Sequence, residues 1–151
     1  MKIIKKILVA LLIVLAAIQL WRPDKNNAEV REVSAFEKET KPNPEVITIL
    51  ENKCYDCHSN KTTYPWYAEI APVSVWIADH VEEGNEHFNV SQWTSYDDKK
   101  KDHKLDELIK EVEEGEMPLE SYTILHGGIT AAEKEAVLVW AKQARMNYDI
   151  K

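Results

Sequence analysis

Both cysteines of this 151-residue chain fall in one short stretch, "ENKCYDCHSN", as Cys54 and Cys57, with His58 directly after the second. Two cysteines scattered at random over such a length lie three apart roughly once in a hundred arrangements, so the spacing asks for a chemical reason. A redox dithiol sits where a strand enters a helix inside a βαβ pattern. No alternating strand pattern longer than four residues occurs here. A structural zinc ion needs four ligands, and the chain has no third cysteine and no closely spaced His pair. A disulfide across so small a loop would constrain almost nothing. Cys-x-x-Cys-His is, however, the signature of covalent haem attachment. On this reading Cys54 and Cys57 bond the two vinyl positions of one haem c, and His58 coordinates the iron from the proximal face.

An iron so held has a sixth position, whose ligand separates electron transfer from reactivity. The candidates are His80, His87, His103, His126, Met117 and Met146. His103 falls on the side of its helix away from the apolar stripe, and His87 and His126 fall in polar stretches, so all three are expected to face water. Met146 closes the last helix, where packing is the commoner role. Met117 sits just past a glycine and directly before Pro118, which keeps the preceding residue out of a helix and holds it extended. A stiff loop can present a thioether at a fixed point, so Met117 is the expected distal ligand. His80 is the runner-up, because helical spacing puts it on a face with Trp76 and Ile77. Five Trp and six Tyr against two Phe make an aromatic set with polar handles. Trp66 and Trp76 are the candidates to pack against a flat ligand, although core packing is the usual role of such rings.

These residues need elements to position them. The chain opens with Lys2, Lys5 and Lys6, then runs apolar from Ile7 to Leu20, interrupted only by Gln19. Fourteen residues suit the apolar region of an export signal, yet Trp21 and Arg22 follow as interfacial anchors would. Residues 1–22 are therefore expected to be an uncleaved signal anchor, with cleavage near "VLA" at 14–16 as the alternative. In either case the lysines stay in the cytoplasm and the rest is exported to the periplasmic side. Residues 23–42 are polar, with Phe36 the only aromatic, and read as a tether.

The domain is expected over 43–148. Asn43 caps a helix with Pro44 at its first position, and Val46, Ile47, Leu50 and Cys54 form its stripe. A short helix is expected over 73–83. A longer one should run from about Asp97 to Glu114 with Leu105, Leu108, Ile109 and Val112 buried, stopped by Gly115. The last helix opens with a Thr130–Glu133 capping box and buries Val137, Trp140, Ala141 and Ala144. The stretches between are expected to be irregular. The fold class is all-α. A formal charge of −7 argues against nucleic acid, whose partners are basic. Setting aside the four bases of residues 1–22 leaves 15 bases against 26 acids, a net −11 that steers basic partners and aids solubility.

The stretches "CYDCHSNKTTYPWY", "APVSVW", "HVEEG" and "EVEEGEMPLESYTILH" together resemble the haem-binding domain of many bacterial exported proteins, related to class I cytochromes c. The resemblance covers about Asn43 to Tyr148. It implies an all-α, cytochrome c-like fold around one haem, with Cys54, Cys57 and His58 as attachment and proximal residues and Met117 as distal ligand. The long 73–114 section and the N-terminal segment depart from small soluble cytochromes c. The expected function is electron transfer with redox partner proteins at the inner membrane. The alternative is a haem peroxidase or small-ligand sensor with an open distal site. A non-redox docking domain is a third. Electron transfer is favoured because no second catalytic constellation is visible.

Overall fold

The computed structural model describes residues 2–148, and among them the regular structure is helical apart from one isolated antiparallel bridge between Asn27 and Lys61. The helices are α1 (Lys2–Ile18), α2 (Ser34–Thr40), α3 (Pro44–Lys53), α4 (Tyr55–His58), α5 (Val73–His87), α6 (Asp98–Glu114), α7 (Glu120–His126) and α8 (Ala131–Arg145). Three 3₁₀ turns, Trp66–Glu69, Val90–Ser95 and Met146–Tyr148, complete them. The all-α expectation is met.

The helix ends form where the capping chemistry dictates. The Asn43 side chain accepts from Val46 N–H at 2.9 Å, with Pro44 following. Asp97 accepts from Lys100 N–H at 2.7 Å, and Gly115 closes α6 in the left-handed conformation at φ 84°. Glycine fits there because a Cβ would be strained. Thr130 and Glu133 close a reciprocal capping box at 3.2 and 2.8 Å. α6 and α8 bury Leu105, Ile109 and Val112 against Val137, Trp140, Ala141 and Ala144. In α3 the buried stripe is Val46, Ile49 and Leu50, so Ile49 takes the place expected of Ile47.

Three expectations are corrected. The first concerns the tether over 23–42. Phe36 is 0 % exposed and meets Trp93, Trp140 and Phe88 edge-on at centroid distances of 5.0, 5.8 and 5.9 Å. The backbone and side chains around it complete the fit. Trp140 Nε1 donates to the Thr40 carbonyl at 3.0 Å, and Trp93 Nε1 donates to the Glu39 carboxylate at 3.0 Å. Upstream, Thr62 N–H donates to the Asn26 carbonyl at 2.9 Å, and Arg31 pairs with Asp56. Residues 26–40 are thus part of the folded unit. The second concerns α5, which runs through Gly84 to His87 rather than ending at residue 83. The third is α7, a helix where a loop was expected, formed without a side-chain cap and with no buried residue.

α1 is an apolar helix with no buried residue. Its 17 residues reach about 25 Å at 1.5 Å each, short of a hydrocarbon core of about 30 Å. No helix among the described residues is long and apolar enough to cross a membrane, so the expectation of a spanning anchor is not met by α1 alone. Met1, the first residue of that expected segment, lies outside the described residues.

Two outcomes follow from how α2 is held. Phe36→Ala should cost about 3–5 kcal/mol in urea unfolding, whereas the exposed Val30→Ala should stay within about 0.5 kcal/mol; a tether would make both silent. Burial raises the Glu39 carboxyl, but hydrogen bonds from Lys101 and Tyr148 outweigh it and hold the group below its ordinary 4.5. A carboxyl lowered on folding stabilises fully above its unfolded value and loses that contribution as pH falls through the folded one. Glu39→Gln should therefore flatten the loss of stability below about pH 4.5, measured as unfolding midpoint against pH.

Candidate functional site

The apolar stripe of α3 carries the chain to Cys54, where the backbone leaves the helix at φ −126°, ψ −48°. One new turn, α4, then forms on it: His58 N–H donates to the Cys54 carbonyl at 3.0 Å. That break gathers Cys54, Cys57 and His58 on a single turn. Tyr55, fully buried beneath, anchors the turn through its hydroxyl, which donates to Glu37 at 3.0 Å. α5 crosses the same turn at Gly84. A Cβ there would lie 2.8 Å from the Cys57 carbonyl oxygen and 3.1 Å from the Cys57 Cβ, so the crossing requires glycine.

His58 is oriented by Phe88, the residue just after α5. Its Nδ1 lies 2.8 Å from the Phe88 carbonyl oxygen. A carbonyl only accepts, so Nδ1 carries the proton and Nε2 keeps a free lone pair. Burial lowers the ring below the usual histidine range, which favours the neutral, ligating form. Both cysteines are free thiols. Burial pushes Cys54 up to about 12, with the neighbouring Cys57 adding to it, and pushes Cys57 up to about 11.

Cys54, Cys57 and His58 open on a cavity of about 360 Å³. Met117 lines the same cavity. Its N–H and that of Gly115 both donate to the Glu111 carbonyl at 3.1 Å, so the chain past α6 curls back and holds the thioether against the end of that helix. Phe36, Leu50, Val90, Leu108 and Val112 supply apolar lining, and Lys104, whose side chain is only 12 % exposed, supplies a cation paired with Glu107 at 2.6 Å. His80 also lines this cavity, as well as a smaller one of about 80 Å³ beside it. Its Nδ1 is taken by the Trp76 carbonyl of its own helix at 3.0 Å.

The two aromatic candidates lie apart from the large cavity. Trp66 is 76 % exposed, packs edge-on against Tyr67, and lines neither cavity. Trp76 lines the small cavity, not the large one. The rings that line the large cavity are Phe36, Tyr55, Phe88 and Tyr122. Tyr122 was hidden in the sequence because α7, which carries it, has no cap signal; its hydroxyl donates to the Asn52 carbonyl at 2.9 Å, and burial raises it to about 12. His87 is exposed, as expected, and from the last turn of α5 it also edges the cavity. His103 is exposed and pairs with Glu107, and Met146 is exposed. His126 stacks on Tyr122 at 4.1 Å and lines the small cavity.

A family model described as "Haem-binding domain" matches residues 13–143. The chain belongs to the haem-binding domain family. No curated protein and no solved structure matches it. The family match starts inside α1 and spans the segment with Phe36, in keeping with a folded unit that begins well before Asn43.

The residues of this haem-binding domain fit the cofactor. The cavity lies within the roughly 300–1,000 Å³ of organic-ligand sites. Its donor set, an imidazole with Nε2 free and a soft thioether, suits haem iron. The close passage of α5 over Cys57 makes a further point testable. Helix propensity alone favours Gly84→Ala by about 1 kcal/mol. The contact with a backbone oxygen opposes it, and overpacking costs about 1–3 kcal/mol. Gly84→Ala should thus lower the thermal midpoint, and a rise would show that α5 can move off the cysteine turn.

Proposed function

We propose that this chain is a membrane-attached electron carrier with one covalently bound haem c, its domain facing the periplasmic side of the cytoplasmic membrane. The observation that carries the reading is the opening of Cys54, Cys57, His58 and Met117 on one cavity in a haem-binding domain. Free thiols support attachment, because each S–H could add across a vinyl double bond, with sulfur bonding one carbon, the hydrogen going to the other, and no oxidant consumed. Haem so bound supplies one reversible electron at iron.

The chain's own residues do the rest. His58 would hold the iron through Nε2 while Phe88 holds its ring. Met117 offers a soft ligand that favours reduced iron and raises the potential. Apolar lining from Leu108 and Val112 keeps water from the site, and Lys53 and Lys104 are cations suited to the propionates. The all-α architecture and this donor set support a cytochrome c-like arrangement. Membrane attachment through residues 1–22 is supported by α1, which from Ile7 to Ile18 is apolar all round and buries no residue. A segment of this length is accommodated by local thinning and by snorkelling of Lys2, Lys5 and Lys6. Redox partners at the membrane with basic faces suit the acidic exported part.

Made in a host with cytochrome c maturation machinery, wild type should retain haem in a denaturing gel, and the Cys54→Ala/Cys57→Ala variant should lose it. Absence of added haem mass in wild type overturns covalent attachment. The oxidised protein should show the weak far-red band of sulfur–iron bonding. Met117→Ala should abolish it and lower the potential by about 100 mV or more, given the span that axial ligands command. Survival of the band in that variant, or release of iron by His80→Ala alone, assigns the distal position elsewhere. Ready carbon monoxide binding by wild type would favour the peroxidase or sensor reading.

A further inference from the structure

α1 does not leave the domain through a free linker. The Gln19 side-chain amide pairs twice with Ala71: its Nε2 donates to the Ala71 carbonyl at 2.9 Å, and its Oε1 accepts from the Ala71 N–H at 3.0 Å. Arg22 donates to the Glu69 carbonyl, and Lys25 pairs with the Glu69 carboxylate. The base of α1 is therefore clamped to the segment 69–71.

Around that clamp the surface is apolar and aromatic. Trp66 is 76 % exposed, Ile70 45 % and Val73 36 %, while Trp21, between the two clamping residues, is 64 % exposed. None of them lines the large cavity. Trp and Tyr rings beside basic residues mark the headgroup level of a bilayer, and here Arg22 and Lys25 stand beside Trp21 at the end of an apolar helix. Tying that helix to this face brings both to the same surface.

We propose that the face formed by Trp21, Trp66, Ile70 and Val73 rests in the headgroup layer of the bilayer that receives α1, so the domain is held at the membrane in a fixed orientation. The proposal rests on the reading of α1 as an anchor. It accounts for two tryptophans left in water by the fold, and it turns the Gln19–Ala71 pair into the joint that sets the tilt of the domain.

The test uses the full-length haem-loaded chain in phosphatidylethanolamine–phosphatidylglycerol vesicles carrying a labelled lipid. A photo-crosslinking amino acid is placed in turn at Val9, Trp66, Val73 and Val139, the last an exposed residue of α8. Lipid adducts are expected at Val9, Trp66 and Val73, several-fold above those at Val139. Gln19→Ala should reduce the adducts at Trp66 and Val73 while leaving Val9 unchanged. Adducts at Val9 but none above the Val139 level at Trp66 and Val73 overturn the docked face and leave the anchor standing, as do adducts at those two positions to a partner protein instead. No adduct at Val9 overturns the anchor reading and the proposal with it. Undiminished adducts in Gln19→Ala overturn the role of the clamp.

Discussion

The hydrogen bond from His58 Nδ1 to the Phe88 carbonyl joins the reactive turn to the centre of the protein. Phe88 is the first residue beyond α5, and its ring packs on Phe36 at 5.9 Å. Phe36 in turn touches Trp93 and Trp140, and through Trp140 the series reaches α8. The imidazole thus stands three rings away from the last helix of the chain. Were His58 to serve as a ligand, it would need such support, because a ring fixed only by its own backbone would sample several rotamers.

The same constraint explains why α5 carries a glycine in its last turn. To deliver the Phe88 carbonyl to His58, α5 must pass directly over the turn that bears His58, and any side chain at the crossing would push it away. Local sequence reading treats Gly84 as a reason to end the helix. The long-range contact with Cys57 is the reason to continue it. Here a tertiary demand overrides a propensity of about 1 kcal/mol.

What was legible in the sequence is what short-range chemistry decides. Asn43 with Pro44, Asp97, Gly115 and the Thr130–Glu133 box mark helix ends through side chains that bond their own backbone, and each lies where its pattern indicates. Cys54, Cys57 and His58 share one turn because their spacing leaves little choice, and Met117 reaches their cavity because Gly115 and Pro118 bracket it. What escaped depends on partners far away in the chain. Phe36 is one ring in a polar stretch, and its value comes from Trp93 and Trp140, more than fifty residues on. Trp66 and Trp76 share a residue type with core tryptophans, and nothing local says that Trp66 faces outward while Trp93 is enclosed.

A cavity of this size beside so dense an aromatic cluster has a thermodynamic consequence. Leu108, Phe88 and Met117 line the cavity with apolar surface that the chain's own side chains only partly cover. Each 100 Å² of such surface removed from water contributes about 2.5 kcal/mol. A ligand that binds only the folded state adds stability by mass action. A covalently held ligand adds it without dependence on concentration. Two thioether bonds to a turn already fixed by Tyr55, Gly84 and Phe88 would therefore make the macrocycle a permanent part of the core, and the fold and the cofactor would stand or fall together.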